Sequence, residues 1–448
     1  SNTSGGALDN SLNVNIRGAG TIGDGSNSSP LVLIDGVEGN MNAINPQDIE
    51  SISVLKDAAS ASIYGARGAF GVILITTKSG KSGRTNVNYS GNVRFTDALA
   101  IPEMLDSYKF AQYFNEAAKN SGQGAVFSET QMQRILAYQK GEITDGATIN
   151  TTNNRWNNYT GANADTDWFN EMYKDWVPSH EHNLSVSGGN EKVTYLVSGN
   201  FLDQNGLIAH GKDKFNRYTL NGKINATLSD YVKLNYSSKW IREDYKRPSY
   251  MTGLFFHNIA RRWPVNPVYD PNGYYMEGNE IIQMEDGGIQ NNQKDYSYQQ
   301  LQLVIEPIKD WKIYAEGNLN TITNFQHWEV LPVYAHDVNG DQYAFSWDGR
   351  AVGSTTVNEY GYKENFMTTN IYSDYFKQFD NGHFIKVMGG FNAEVMKTRS
   401  LSAQGDGLIT PSVPTVNTTT TNPSVGGGYA HWSTAGFFGR LNYNYKER

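Results

Sequence analysis

The chain predicts a small mixed α/β domain inside a transmembrane antiparallel β-barrel, and three observations carry that prediction. Residues 72–75 read Val, Ile, Leu, Ile without alternation, the mark of a strand covered on both faces, within a segment too small to bury a core alone. Beyond residue 84 the apolar residues recur with period two and polar residues fill the row between them. The connections between those strands alternate between short turns and long loops, as they do when a barrel crosses a membrane.

The first domain is expected over residues 1–80. Residues 1–12 are small and polar and should fray, 14–17 form a short strand, and a Gly/Ser run reaches Pro30. An apolar strand at 31–34 closes on the turn residues Asp35 and Gly36. The densest stretch is 45–80, NPQDIESISVLKDAASASIYGARGAFGVILITTKSG. Pro46 is pre-set for a first helical position and an acid suits the first turn, so Pro46, Gln47 and Asp48 predict a single helical turn. Ile52, Val54 and Leu55 read as a strand. Asp57 is placed to cap a helix over 58–64, which Gly65 can stop in left-handed conformation. A basic, flexible run, KSGKSGR at 78–84, leads out of the domain, with the linker set at 81–85 and the barrel at 86–448.

The barrel strands declare themselves by their two rows. Along 218–228, Tyr218, Leu220, Gly222, Ile224, Ala226 and Leu228 form the outward row, and Thr219, Asn221, Lys223, Asn225 and Thr227 the inward one. Val232, Leu234, Tyr236, Ser238 and Trp240 oppose Lys233, Asn235, Ser237 and Lys239 in the same way. Strands are expected near 86–96, 181–187, 192–202, 215–228, 232–244, 296–305, 311–325, 366–379, 383–397 and 435–445. Short turns at 188–191, 229–230, 307–310 and 380–382 alternate with long loops at 97–180, 203–214, 245–295, 326–365 and 398–434. The first long loop should hold helices, one capped by Asp106 and one opened by Ser128 with Gln131.

Composition narrows the function. An apolar share of 38% and a mean hydropathy of -0.55 are low for a large dry core, whereas 28 tyrosines suit strands that meet lipid on one side and water on the other. A net charge of -8 argues against nucleic acid, which needs an excess of Lys and Arg. The absence of cysteine excludes disulfides, thiolate-held metals and thiol catalysis. No run approaches the roughly 18 apolar residues of a membrane-spanning helix.

Several blocks carry a resemblance to a known family. NIRG at 15–18, PLVLIDG at 30–36, INPQDIESISVLKD at 44–57 and AASASIYGARGAFGVILITTK at 58–78 resemble the plug signature of SusC-like TonB-dependent outer-membrane transporters. HNLSVSGG at 182–189, NFLDQNGL at 200–207 and FGRLNYNY at 438–445 extend the resemblance into the barrel. It implies that residues 1–80 are a plug filling a barrel of about 22 strands, of which about ten are expected here. It also implies a multi-pass barrel in the bacterial outer membrane and active import of glycans, driven by TonB of the inner-membrane motor. A SusD-like lipoprotein lid, outer-membrane lipid and an oligosaccharide or peptide ligand are the expected partners, and no bond chemistry is expected of the chain. No signal peptide or TonB box is seen before Ser1, so the chain is expected to be the front part of such a transporter. Under the resemblance Arg17, Asp35, Gly36, Lys56, Asp57, Tyr64, Gly65 and Arg67 form the plug motif. Its charges either brace the plug against the barrel wall or belong to a network that releases when TonB pulls.

The remaining motifs are weaker. Gly18, Gly20 and Gly23 spell G-x-G-x-x-G, but a Gly/Ser loop follows where a dinucleotide site needs a helix. Ser53 and Lys56 have the S-x-x-K spacing of some acyl-transfer enzymes, yet on a strand they point to opposite faces. His180 and His182 offer two imidazoles at strand spacing and lack an evident third metal ligand. Asp337, Asn339 and Asp341 start like a calcium loop, but Gln342 and Asp348 break the pattern, leaving room only for a loop-stabilising calcium; no other cofactor is expected. Trp328, Trp347 and Trp432 fall in expected loops, where they would either stack on sugars or anchor the barrel at the membrane interface. The competing functions are a peptide importer of the same kind, a passive or adhesive barrel, and a secreted glycan hydrolase. The last needs a carboxylate pair that the sequence does not single out.

Overall fold

The computed structural model describes residues 8, 29–56, 70–347 and 349–445. The strand expected at 14–17, the helix at 58–64, the G-x-G-x-x-G run, Asp348 and the plug-motif residues Arg17, Asp57, Tyr64, Gly65 and Arg67 lie outside the described residues. Strands β1 (Leu31–Ile34), β2 (Val37–Glu38), β3 (Ile49–Leu55) and β4 (Val72–Thr77) make a first sheet in the order β2-β1-β4-β3. β1 and β4 are parallel, and β4 is buried on both faces as its unbroken apolar run requires. Val72 and Leu74 pack with Leu31, Leu33 and Leu55, while Ile73 and Ile75 pack with Val32, Ile34 and Ile44. Asp35 and Gly36, with φ of 50° and 90°, join β1 to β2 through a two-residue turn that needs left-handed backbone at both positions. The expected single helical turn is the 3-10 helix Pro46–Asp48, capped by the Asn45 side chain, which accepts the Gln47 amide at 3.0 Å.

The second sheet is built from β5 (Gly83–Thr96), β8 (Val177–Gly189), β9 (Val193–Asn205), β10 (Lys214–Ser229), β11 (Val232–Pro248), β12 (Ile289–Ile308), β13 (Trp311–Val330), β16 (Thr356–Gln378), β17 (His383–Leu408) and β18 (Thr419–Tyr445). Each pairs antiparallel with its neighbour in that order, and β5 and β18 are the two edges. Two small hairpins, β6 (Ile149–Asn150) with β7 (Arg155–Trp156) and β14 (Val333–His336) with β15 (Gln342–Phe345), belong to the long connections. All ten expected strands are present, but several run further toward the loop end than their alternation predicts. β16 starts at Thr356 rather than 366, β17 continues to Leu408 rather than 397, and β18 starts at Thr419 rather than 435. An apolar band spans only about ten residues of a tilted strand. Beyond it both rows can be polar, so the ladder continues without a hydropathy signal. The loops expected at 326–365 and 398–434 shrink accordingly to 331–355 and 409–418. β5 likewise begins inside the stretch expected as linker, with irregular pairing between Gly83 and Asn86.

Burial along β10 and β11 is inverted relative to a water-soluble protein. Leu220, Ile224 and Leu228 are exposed while Thr219, Asn221 and Lys223 are buried. Trp240 is exposed and its neighbour Lys239 is 4% exposed. There the outward row is left uncovered and the inward row meets the small domain, the arrangement expected of a lipid-facing wall. Exposed rings, including Tyr218, Trp240 and Phe325 toward one end and Tyr231, Trp311 and Tyr375 toward the other, flank the apolar band as interfacial girdles.

A wall with lipid on one side and polar packing on the other leaves its largest dry core elsewhere. Trp168, Met172, Ile208, Phe255, Ile259, Ile281, Met284, Val333, Phe345 and Trp347 form one cluster above the sheet, drawn from the connections 97–176, 206–213, 249–288 and 331–355. The long connections are therefore a folded cap. Helices Ser107–Asn120 and Glu129–Gln139 lie within it and are capped by Asp106 and Ser128, as their sequences predict. Among the described residues no helix is long and apolar enough to cross a membrane.

Candidate functional site

The chemistry of this chain is concentrated where the small domain meets the inner face of the wall. The Asp35–Gly36 turn projects the Asp35 carboxylate to Thr77 at the end of β4, where it accepts the Thr77 amide at 2.9 Å and the Thr77 hydroxyl at 2.6 Å. Lys223, from the inward row of β10, approaches Asp35 Oδ2 at 3.0 Å and donates to the Thr77 carbonyl at 3.0 Å. Lys239 on β11 is buried beside this pair with no hydrogen-bond partner for its Nζ among the described residues, and Asp35 and Asp48 only partly offset the cost of burying its charge. Burial raises the Asp48 carboxyl above its ordinary range, opposed by the Ser198 hydroxyl, which donates to Asp48 Oδ1 at 2.8 Å, and by the nearby lysines.

Around this charged centre the wall grips the small domain mainly by its backbone and short polar side chains. Arg217 donates to the Asn42 carbonyl at 3.1 Å, Gln300 to that of Asp35 at 2.8 Å and Asn320 to that of Glu38 at 2.9 Å. Asn45 donates to Asn183 on β8 at 2.9 Å, and Ser90 on β5 to Gln47 at 2.8 Å. The apolar part of the seam is small, with Ala43 against Ile241 and Tyr296. Net contributions of about 1 kcal/mol per neutral hydrogen bond, each replaceable by water, make a seam that holds register yet can be parted by force.

Of the expected plug-motif residues within the described chain, Asp35 and Gly36 lie at this seam and Lys56 is exposed just after β3. The barrel residues Lys223, Lys239, Ser198, Arg217, Gln300 and Asn320 were not singled out as site residues. Lys223 and Lys239 stood in polar inward rows, but alternation identifies a row and not the member opposite a given turn. Two of the three tryptophans fall on strands rather than in the expected loops. Trp328 lies on β13, with the Arg350 guanidinium 5.6 Å from its ring centre, and Trp432 lies on β18, with its indole N–H 3.0 Å from Met396 Sδ. Trp347 does lie in a connection, yet it is buried in the cap core with its ring edge-on to Tyr250 at 5.0 Å.

Two of the other motifs have local partners. His180 and His182 sit in the outward row of β8, where His182 Nδ1 is 2.8 Å from the Tyr89 hydroxyl and His180 packs on Phe201. The Asp337 carboxylate accepts the amides of Asn339 and Asp341 at 2.8 and 3.0 Å, so it closes its own loop. No group of three metal-ligating side chains occurs among the described residues.

Comparison with known proteins agrees with this architecture. The TonB-dependent Receptor Plug Domain family matches residues 1–72. TonB-dependent receptor P26 of Formosa agariphila is 25% identical over 97% of this chain and 41% of its own length. TonB-dependent receptor SusC of Bacteroides thetaiotaomicron is 24% identical over 97% of this chain and 42% of its own. The solved structure of the RagAB peptide importer in its closed-closed state superposes with a TM-score of 0.74 at 20% identity, covering 94% of this chain and 48% of that one. The chain thus spans less than half the length of these relatives.

Proposed function

We propose, for a chain that belongs to the SusC-like TonB-dependent receptors and carries their plug with part of their barrel, that the whole protein imports oligosaccharides across the outer membrane. TonB supplies the force, and a SusD-like surface lipoprotein closes over the folded cap. The observation that carries this reading is the seam itself. Its small apolar share and many water-replaceable hydrogen bonds suit a plug that must leave its seat without the barrel unfolding. The lumen-facing row, rich in Asn, Gln, Ser and Thr, suits hydroxylated cargo. A peptide cargo is the alternative; the RagAB peptide importer shares the fold, which does not by itself name a substrate.

The test is uptake of labelled oligosaccharides by cells producing the full-length protein, with and without TonB, and with residues 45–80 deleted. Energised import predicts uptake that needs TonB and loses regulation in the deletion. Equal uptake in both backgrounds would instead support a passive barrel.

A further inference from the structure

We propose that a pocket in the cap, lined by Tyr159, Asn258, Arg261, Arg262 and Trp263, binds an anionic sugar residue, so that the imported cargo is an acidic glycan; this rests on the import reading above. The pocket encloses about 360 Å³, within the range of small-ligand sites, and draws its walls from two connections, 97–176 and 249–288. Its aromatic wall is held firmly. Tyr159 has φ of 54°, left-handed backbone that a bulky residue rarely adopts, and its amide donates at 2.7 Å to the side chain of Asn266, itself 2% exposed. The Tyr159 ring stands edge-on to Trp263 at 5.2 Å, and Phe110, Phe114 and Phe127 brace Trp263 from 5.3, 4.6 and 5.7 Å. Tyr159 nevertheless remains 45% exposed, so backbone strain and an aromatic brace present a ring to solvent.

The two arginines differ in the way a recognition site needs. Arg262 is neutralised by Glu280, which is 2% exposed, and its Nη1 lies 3.4 Å from the Tyr159 hydroxyl. Arg261 is exposed and pairs with no carboxylate among the described residues. It donates twice to Asn258 Oδ1, at 3.2 and 2.9 Å, and Asn258 is anchored through its amide to the Tyr250 hydroxyl at 3.0 Å. A position in the last turn of helix Gly253–Arg261 explains a cation there, but it does not explain the strained Tyr159 beside it. Together they offer a fixed guanidinium for a carboxylate or sulfate and an aromatic face for the ring that bears it. An acidic peptide would satisfy the arginine and leave the aromatic face without a saturated ring to cover it.

The experiment measures binding to the full-length receptor in detergent by calorimetry. The probes are tetrasaccharides of galacturonate, alginate and chondroitin sulfate, the neutral maltotetraose and xylotetraose, and tetraglutamate. At least one acidic saccharide should bind tenfold or more tightly than either neutral one. Arg261→Gln should weaken it about tenfold, the scale of one charge-assisted hydrogen bond, with neutral binding unchanged, and Arg261→Lys should restore part of the loss. Arg261 is exposed at a helix end, so these variants should fold. Neutral saccharides bound as tightly as every acidic one, an unchanged Arg261→Gln, or tetraglutamate bound above all saccharides would overturn the assignment. TonB-dependent uptake without acid preference sinks the pocket alone, whereas acid binding lost in Arg261→Gln alongside TonB-independent uptake sinks the import reading alone.

Discussion

Replacing Asp35 by Asn tests whether the Asp35–Lys223 pair fastens the plug. Asn also tolerates left-handed backbone, so the turn to Gly36 survives and the change is confined to charge. The side chains of Asp35 and Lys223 are 16% and 9% exposed, and their contact is 3.0 Å. Removing one partner of a buried pair costs about 3–5 kcal/mol, and the residual exposure here argues for the lower end, about 3 kcal/mol. At about 1.4 kcal/mol per decade, that raises the population of the locally open seam by roughly a hundredfold. The assay is hydrogen–deuterium exchange of the full-length protein in a bilayer mimic, read on peptides covering β1 and β4, for Asp35→Asn, Lys223→Met and the double variant. Each single variant should speed exchange by about that factor. The double variant strands neither member of the pair, although Lys239 then keeps only Asp48 as a counter-charge, and it should fall short of the product of the two effects. Single variants that exchange at the wild-type rate, or strictly multiplicative effects, would refute the claim that this pair is the fastening.

Three further outcomes rest on the same packing of plug, wall and cap. Because burial raises the Asp48 carboxyl, the seated plug holds its proton more readily than the released one. The resulting stability is fully present below the ordinary carboxyl pKa and fades as pH rises through the raised value. Asp48→Asn should therefore slow exchange of β3 and β4 at neutral pH and remove Asp48's share of the gain on acidification; an unchanged pH profile counts against it. A Cβ on Gly80 would lie 2.6 Å from backbone atoms of Tyr195, so Gly80→Ala should destabilise the passage between plug and barrel by about 1–3 kcal/mol, seen as a lower unfolding temperature. A neutral or stabilised variant would show that the passage has slack. Phe255→Ala, at a fully buried position of the cap, should cost about 3–5 kcal/mol and expose the connections to protease while the strands stay protected; uniform loss of barrel protection would mean that cap and wall unfold together.

The sequence by itself determined the elements whose signals are local. The unbroken run of β4, the Asp35–Gly36 turn, the Pro46 turn and the existence of ten strands with their inward and outward rows follow from periodicity and turn chemistry, each decided within a few residues. The length of β16, β17 and β18 was not legible, because ladder hydrogen bonds outside lipid place no demand on the side chains. The cap core was equally hidden. Trp168, Phe255, Ile281 and Phe345 fall in three separate expected loops with strands between them, and only tertiary packing makes them one cluster. The seam shows the same division. Sequence placed Asp35 on a turn and Lys223 in a polar row, but the contact between them depends on the register of a docked domain against a wall. Local chemistry does not encode that register; it emerges only when the two surfaces close on each other.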